Sequence, residues 1–240
     1  MTEAKTALVV SAHSADFVWR AGGAIALHAS LGWNVHIVCL SFGERGESAK
    51  LWKQPGMTLE QVKANRRAEA MEAASILGAQ VSFLDIGDYP MRAGLDVVFE
   101  LAKLYRQLRP AFVLSHSLKD PYNFDHPLAS HMAQEARVVA QAHGHEPGTP
   151  VIGAPPVYLF EPHQPEQCEW KPEVFLDISS VWETKRAAFQ TMRAQEHLWE
   201  YYTRVGLQRG AQATRNSDFK IQYAEAYQRI FPHVTQGTLA

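Results

Sequence analysis

The chain has 240 residues, of which 46% are apolar and 20% charged, with a formal charge of -2. That length can bury a full core as one α/β domain over 1–240, and the balance of charge excludes a basic stripe for nucleic acid or an acidic tail. Two cysteines, one in an apolar run and one in a polar loop, exclude a disulfide framework and fit a reducing compartment.

The opening "MTEAKTALVV" lacks the segments of a signal peptide, and no apolar run approaches the roughly 20 residues a membrane span needs. A cytoplasmic protein with no membrane or nucleic-acid partner is therefore expected. Strands are predicted at 6–13, 34–41, 80–86, 112–117, 157–162 and 174–179, mostly as continuous apolar runs typical of strands buried on both faces. Helical patterns fall between them near 21–31, 59–78, 95–108, 126–142 and 180–198. The second of these helices, 59–78, has Thr58 as N-cap, Glu60 in its first turn and Gly78 as its stop. "HGHEPGTPVIGAPP" (143–156) reads as a surface connection, and the tail from about 200 yields no assigned element. Strand–helix alternation predicts a Rossmann-like, mostly parallel sheet with helices on both faces.

Ligands of such sheets bind outside the carboxyl ends of the strands, and those positions here are rich in acids and histidines. His13 and Asp16 follow the first strand; Glu44, Arg45 and Glu47 follow the second; Asp88 follows the third. His116, Asp120, Asn123, Asp125 and His126 follow the fourth, and Glu161 and His163 the fifth. A solvated loop explains any one of them, but their convergence on one edge predicts a metal-dependent site. Two histidines and an aspartate with an open position suit catalytic zinc. His28 and His36 sit inside predicted elements and read as structural. His131 lies five residues after His126, about 140° around a helix, so the two cannot share one ion.

The residues resemble the LmbE-like/PIG-L superfamily of zinc-dependent N-deacetylases over nearly the whole chain. The family's A-H-P-D-D-E and glycine pair match Ala12, His13, Ser14, Ala15, Asp16 and Phe17, with Gly22 and Gly23 following. Its G-E-x-G matches Gly43 to Gly46, its R-x-x-E and L-G match Arg66, Glu69, Leu77 and Gly78, and its H-x-D-H aligns with Asn123 to His126. The resemblance implies one zinc ion held by His13, Asp16 and His126. It also exposes two departures: the family's general base is Ala15 here, and the first histidine of H-x-D-H is Asn123. Losing a base worth about 10²–10⁴-fold, and an oxyanion partner of similar size, argues against amide hydrolysis.

"SAHSADF", "SFGERGES" and "FEPHQPE" resemble a branch of the family that adds water to a conjugated C=C of a small tricarboxylate in gallate and protocatechuate catabolism. For that reaction Glu47 and His163 are the expected acid–base pair and Glu44 the runner-up. Asp125 is expected to orient the metal-site histidines. Arg45 is the expected carboxylate-binding cation, with Asn123, Arg66 and Arg215 as further substrate-binding residues and Arg20 and Arg209 as other options. Two other functions stand beside it: a deacetylase using Glu47 or Glu44 as a substitute base, and an inactive binding domain. The family also implies self-association, and the aromatic tail near Trp199, Tyr201 and Tyr202 is a candidate interface.

Overall fold

The structure is a computed structural model describing residues 4–234. In chain order its elements are β1 (Thr6–Ser11), α1 (Asp16–Ser30), β2 (Asn34–Cys39), α2 (Ala49–Trp52), α3 (Leu59–Leu77), β3 (Gln80–Phe83) and α4 (Leu95–Leu108). There follow β4 (Phe112–Ser115), α5 (Asp125–Gln141), β5 (Val157–Phe160), β6 (Val174–Asp177), α6 (Trp182–Gln190), α7 (Trp199–Thr214) and β7 (Ala224–Arg229). The seven strands form one sheet in the order β3-β2-β1-β4-β5-β7-β6. β1 to β5 run parallel, and β7 pairs antiparallel with both β5 and β6.

The apolar strands serve two cores at once. In β1, Ala7 and Val9 join the cluster that contains Phe17, Ala70, Trp182 and Phe189 of α1, α3 and α6. Leu8 and Val10 face the opposite cluster, with Val98 and Leu101 of α4 and Ala129 and Ala133 of α5. Alternating side chains thus pack against helices on both faces, which is why the sequence shows no polar alternation. α3 begins with a full capping box between Thr58 and Gln61 and ends at Gly78 in the left-handed conformation, as its sequence predicts.

Three segments depart from the sequence reading. α1 begins at Asp16 rather than 21, because the Asp16 carboxylate reaches back to accept the His13 N–H (2.9 Å) and closes the polar loop into the first turn. The region 180–198 is not one helix: α6 stops at Gln190, and a 3₁₀ segment containing a non-helical Gln195 leads into α7. The tail supplies both α7 and β7, and β7 is held by a buried polar network. Glu225 accepts N–H groups of Gly23 (2.7 Å) and Ala24 (2.8 Å), Lys185 Nζ (2.6 Å) and the Tyr227 hydroxyl (2.6 Å). A Cβ at Gly23 would lie 2.9 Å from the Glu225 carboxylate and 2.7 Å from Ile178, so the second glycine of the pair makes room for this contact.

Candidate active site

The strand order reverses direction between β1 and β4, and the loops after these two strands carry His13 with Asp16 and Asn123 with His126. β1 and β4 therefore open a crevice at their carboxyl ends, the topological switch point of the sheet. A cavity of about 240 Å³ lies there, bordered by Asp16, Arg20, Glu47, Asn123, His126 and His163. A larger cleft of about 420 Å³ lies at the opposite ends of β1 and β2, but among the described residues none of its lining is a carboxylate, so chemistry rather than volume distinguishes the site.

His13, Asp16, Glu47 and His126 each offer one ligand atom, and these atoms all lie within 4.8 Å of one another. His13 Nδ1 is 3.0 Å from Asp16 Oδ2 and 3.2 Å from Glu47 Oε1; His126 Nε2 is 3.4 Å from Asp16 Oδ1. Two further carboxylates stand behind the histidines. His13 Nε2–H donates to Asp125 Oδ2 (3.2 Å), and His126 Nδ1–H donates to Asp120 Oδ2 (2.9 Å). Asp125 is itself fixed by the N–H groups of Tyr89 and Met91. Asn123 accepts the Asp125 N–H through Oδ1, which turns its amide so that Nδ2 donates to His126 Nε2 (3.1 Å). With its proton on Nδ1 toward Asp120, His126 is in the tautomer whose Nε2 can ligate a metal, and a bound ion would take the place of the Asn123 N–H there.

The electrostatics also fit a cation. Burial opposes charge on His13, but the Glu47 carboxylate and the hydrogen bonds to Asp125 and Asp16 outweigh it and hold its pKa well above the ordinary range. Burial likewise opposes ionisation of Asp16, yet His126 and His116 hold its carboxyl well below the usual range. A proton on His13 here balances acids that a divalent ion would balance in its place. Glu47 Oε2 is buried and without a hydrogen-bond partner. Acids with a spare oxygen around a histidine whose Nε2 is unprotonated form a hard-to-borderline donor set for a divalent metal, and the residues fit the group.

The loop bearing Glu47 is built to hold it. Asp88 accepts the N–H groups of Arg45 (2.9 Å) and Gly46 (2.9 Å), so this rim acid pins the loop. Gly43 has φ +69°, and a Cβ there would meet both His13 and Glu47 at 3.2 Å; a Cβ at Gly46 would lie 2.2 Å from the Tyr89 ring. The two glycines of G-E-x-G thus let the loop pass between the histidine and Tyr89.

A family model described as "GlcNAc-PI de-N-acetylase" (PIG-L) matches residues 8–137, which include every ligand of this cluster. The chain belongs to the PIG-L family. It is 68% identical to 4-oxalmesaconate hydratase of Pseudomonas putida over 98% of this chain and 93% of that protein. The crystal structure of GalB, the 4-carboxy-2-hydroxymuconate hydratase from Pseudomonas putida KT2440, superposes with a TM-score of 0.95 at 68% identity, covering 98% of this chain and 99% of that one. N,N'-diacetylchitobiose deacetylase from Pyrococcus horikoshii has the same fold, with a TM-score of 0.79 at 23% identity over 95% of this chain and 84% of its own. Among the described residues no helix is long and apolar enough to cross a membrane.

Within this PIG-L site the structure brings Asp16, Glu47, Asn123, His126 and His163 to one cavity, with His13 buried behind them in the ligand cluster. It places four other candidates elsewhere. Glu44 turns back to accept the Phe42 N–H (3.1 Å) and does not border the cavity. Arg45 contributes its backbone to the Asp88 pin while its side chain is exposed. Arg66 is fully buried and saturated by Glu69 (2.5 Å), Gln195 (3.0 Å) and the Phe42 carbonyl. Arg215 is exposed at the end of α7.

The cavity also holds Arg20, which the sequence offered only as one of several cations, and residues that it did not bring forward as part of a site. Arg20 sits one helical turn after Asp16, with Nε 3.4 Å from Asp16 Oδ1. Gln195, Tyr202, Tyr89 and Tyr122 complete much of the lining. An α1 starting at Asp16 would have put Asp16 and Arg20 on one face; starting it at 21 separated them. Tyr201 stacks on His163 (4.2 Å) and Tyr202 on Trp19 (5.3 Å), so the aromatic tail packs within the chain beside the site. His163 Nδ1 is 3.3 Å from the Tyr202 hydroxyl, and burial together with the Arg20 charge lowers its pKa to about 4.

Proposed function

We propose that the chain is a single-domain, zinc-dependent hydro-lyase. It adds water to the conjugated C=C of 4-carboxy-2-hydroxymuconate, the enol of 4-oxalomesaconate, to give 4-carboxy-4-hydroxy-2-oxoadipate in gallate and protocatechuate breakdown. The observation that carries this reading is the 68% identity to 4-oxalmesaconate hydratase across 98% of the chain. The site supports it. Ala15, at the family's general-base position, has no accessible surface, and Asn123, at its histidine position, holds His126 rather than offering a proton.

His13, Asp16 and His126 would hold one zinc ion per chain, which supplies Lewis acidity toward an oxygen of the substrate or of water. Hydrating an enol moves two protons to carbon: one leaves the attacking water and one leaves the enol hydroxyl. The chain must therefore provide two groups that enter the cycle unprotonated. Glu47 is one. Burial disfavours its charge, but His13 outweighs that penalty and keeps its pKa low, and its Oε2 is unengaged. His163 is the other, since a pKa of about 4 leaves its ring neutral near pH 7. Glu47 takes the proton of the attacking water and His163 that of the enol; each then returns its proton to carbon. Asp125 and Asp120 fix the ring orientations of His13 and His126.

Glu47→Gln and His163→Ala each lower kcat for consumption of the hydroxymuconate, followed by its absorbance, by at least about a hundredfold while bound metal stays stoichiometric. Near wild-type turnover by either variant removes that residue from the mechanism. Acetate release from an N-acetyl sugar by the wild-type protein, with no absorbance change on the hydroxymuconate, overturns the reaction itself.

A further inference from the structure

We propose that Arg20, assisted by the side-chain amide of Gln195, is the anchor for one carboxylate of the substrate. The inference rests on the hydratase reading for its tricarboxylate, and on the structure for the residues.

Three arginines are buried at this edge of the sheet, and they differ in how much of the guanidinium is already used. Arg66 spends all three of its nitrogens on Glu69, Gln195 and the Phe42 carbonyl. Arg209 is held bidentately by Glu161 and also bonds Gln212. Arg20 borders the cavity with a side chain only 6% exposed, yet donates a single hydrogen bond, from Nη1 to the Glu161 carbonyl (3.1 Å). Its Nε is buried with no hydrogen-bond partner, and the 3.4 Å approach of Asp16 Oδ1 does not satisfy it. A guanidinium has five N–H donors in a planar fork, so an unsaturated one facing a cavity is matched to a planar carboxylate.

Charge gives the same answer. The described side chains bordering the cavity include three carboxylates, Asp16, Glu47 and Asp120, and Arg20 is the sole lysine or arginine among them. A trianionic substrate has no other fixed side-chain cation to meet. Gln195 is oriented by the fold: its Oε1 accepts from Arg66 Nη2 (3.0 Å) and Trp19 Nε1 (3.4 Å), so its amide NH₂ is the part left for a ligand. A reason for burying Arg66 follows, since it aims Gln195.

The test uses metal-loaded protein and propane-1,2,3-tricarboxylate, a saturated tricarboxylate that cannot be hydrated, with binding read by calorimetry and KM and kcat read on the hydroxymuconate. Arg20→Met weakens binding of the probe and raises KM by about 10–100-fold, as expected for lost charge-assisted hydrogen bonds, with metal content unchanged. Gln195→Leu gives a smaller loss of the same kind. Unchanged probe affinity and KM in Arg20→Met, with only kcat or metal content falling, overturns the proposal and makes Arg20 a neighbour of Asp16 alone. Should Arg20→Met not fold, Arg20→Gln, which keeps a donor for the Glu161 carbonyl, is judged by the same criterion. Arg20-dependent binding in a wild-type protein that does not hydrate the hydroxymuconate supports the anchor while refuting the reaction. Hydration whose KM is indifferent to Arg20 does the reverse.

Discussion

Arg66→Met tests whether the family's R-x-x-E pair is a structural clamp. Arg66 has no accessible surface and Glu69 is nearly buried, and their 2.5 Å contact joins successive turns of α3. Glu69 Oε1 also accepts the Ala194 N–H (2.9 Å), and Arg66 holds Gln195 beside it, so the pair ties α3 to the segment before α7. Methionine fills most of the volume but leaves the Glu69 carboxylate without its counter-charge. Breaking a buried pair in this way costs about 3–5 kcal/mol, or roughly 6–20 °C in Tm at this chain length. Adding Glu69→Leu removes the stranded charge and leaves chiefly the unsatisfied Ala194 N–H, so the double variant recovers to a loss of about 1–3 kcal/mol. Urea unfolding of wild type, both single variants and the double variant closes the cycle. A single-variant loss below about 1 kcal/mol, or a double variant less stable than Arg66→Met, refutes the clamp.

Asp120→Asn keeps the turn but loses the carboxylate that holds the His126 ring (2.9 Å); metal affinity, measured by competition with a chromophoric chelator, should fall about 10–100-fold, and an unchanged affinity rejects the orienting role. The depressed His163 pKa, about 4, predicts that kcat/KM for hydration is independent of this ring between pH 5 and 7 and falls on an acid limb near pH 4. An acid limb near 6.5 would mean the ring is not desolvated. The same shift acts on stability: the unfolded chain binds a proton at this histidine below about pH 6.5 and the folded chain only near 4. His163 therefore contributes a loss of stability as pH falls through that window, and His163→Gln should flatten that part of a Tm–pH curve. Ala15→Asp restores the family's base position but puts a carboxylate where the side chain is fully enclosed within the core cluster containing Phe17 and Trp19. Desolvation makes the variant less stable by several kcal/mol without acetate release from an N-acetyl sugar, and a stable, acetate-releasing variant would show that the hydrolytic site survives intact.

The parallel sheet and its helices were legible because strands buried on both faces leave uninterrupted apolar runs, and because α3 carries its cap and stop in plain sequence. The metal cluster was legible for a related reason: strand ends converge, so polar residues after β1, β2 and β4 meet whatever the loop lengths. What escaped was set by distant contacts. Gly22-Gly23 lowers helix propensity, yet α1 runs through it, and the room at Gly23 is taken by Glu225, about two hundred residues later, which accepts the Gly23 and Ala24 N–H groups. β7 carries a glutamate and an arginine at its two ends and has no apolar run, since its pairing and its buried glutamate depend on Lys185 and α1. Glu44, Arg45 and Arg66 belong to recognisable motifs, but sequence does not say which end of a side chain faces a cavity. Two of those motifs prove to be brackets around Glu47 and Gln195.

The two substitutions in the family motif and the polar lining are one change in chemistry. An amide hydrolase must collapse a tetrahedral intermediate, which calls for a base and a protonated partner close to the attacked carbon. Here Ala15 is enclosed in the core, and Asn123 uses both ends of its amide on Asp125 and His126, so neither demand is met from those positions. Unprotonated acceptors instead come from two different loops, Glu47 after β2 and His163 after β5, facing a common cavity. Placing them on separate elements suits a reaction in which protons leave and arrive at different atoms of an extended, planar substrate. The outer carboxylates Asp120 and Asp125 remain because either chemistry needs the histidines held in one tautomer. On the proposed mechanism the scaffold keeps the carboxylates that would orient a metal and moves protons from Glu47 and His163 rather than from positions 15 and 123.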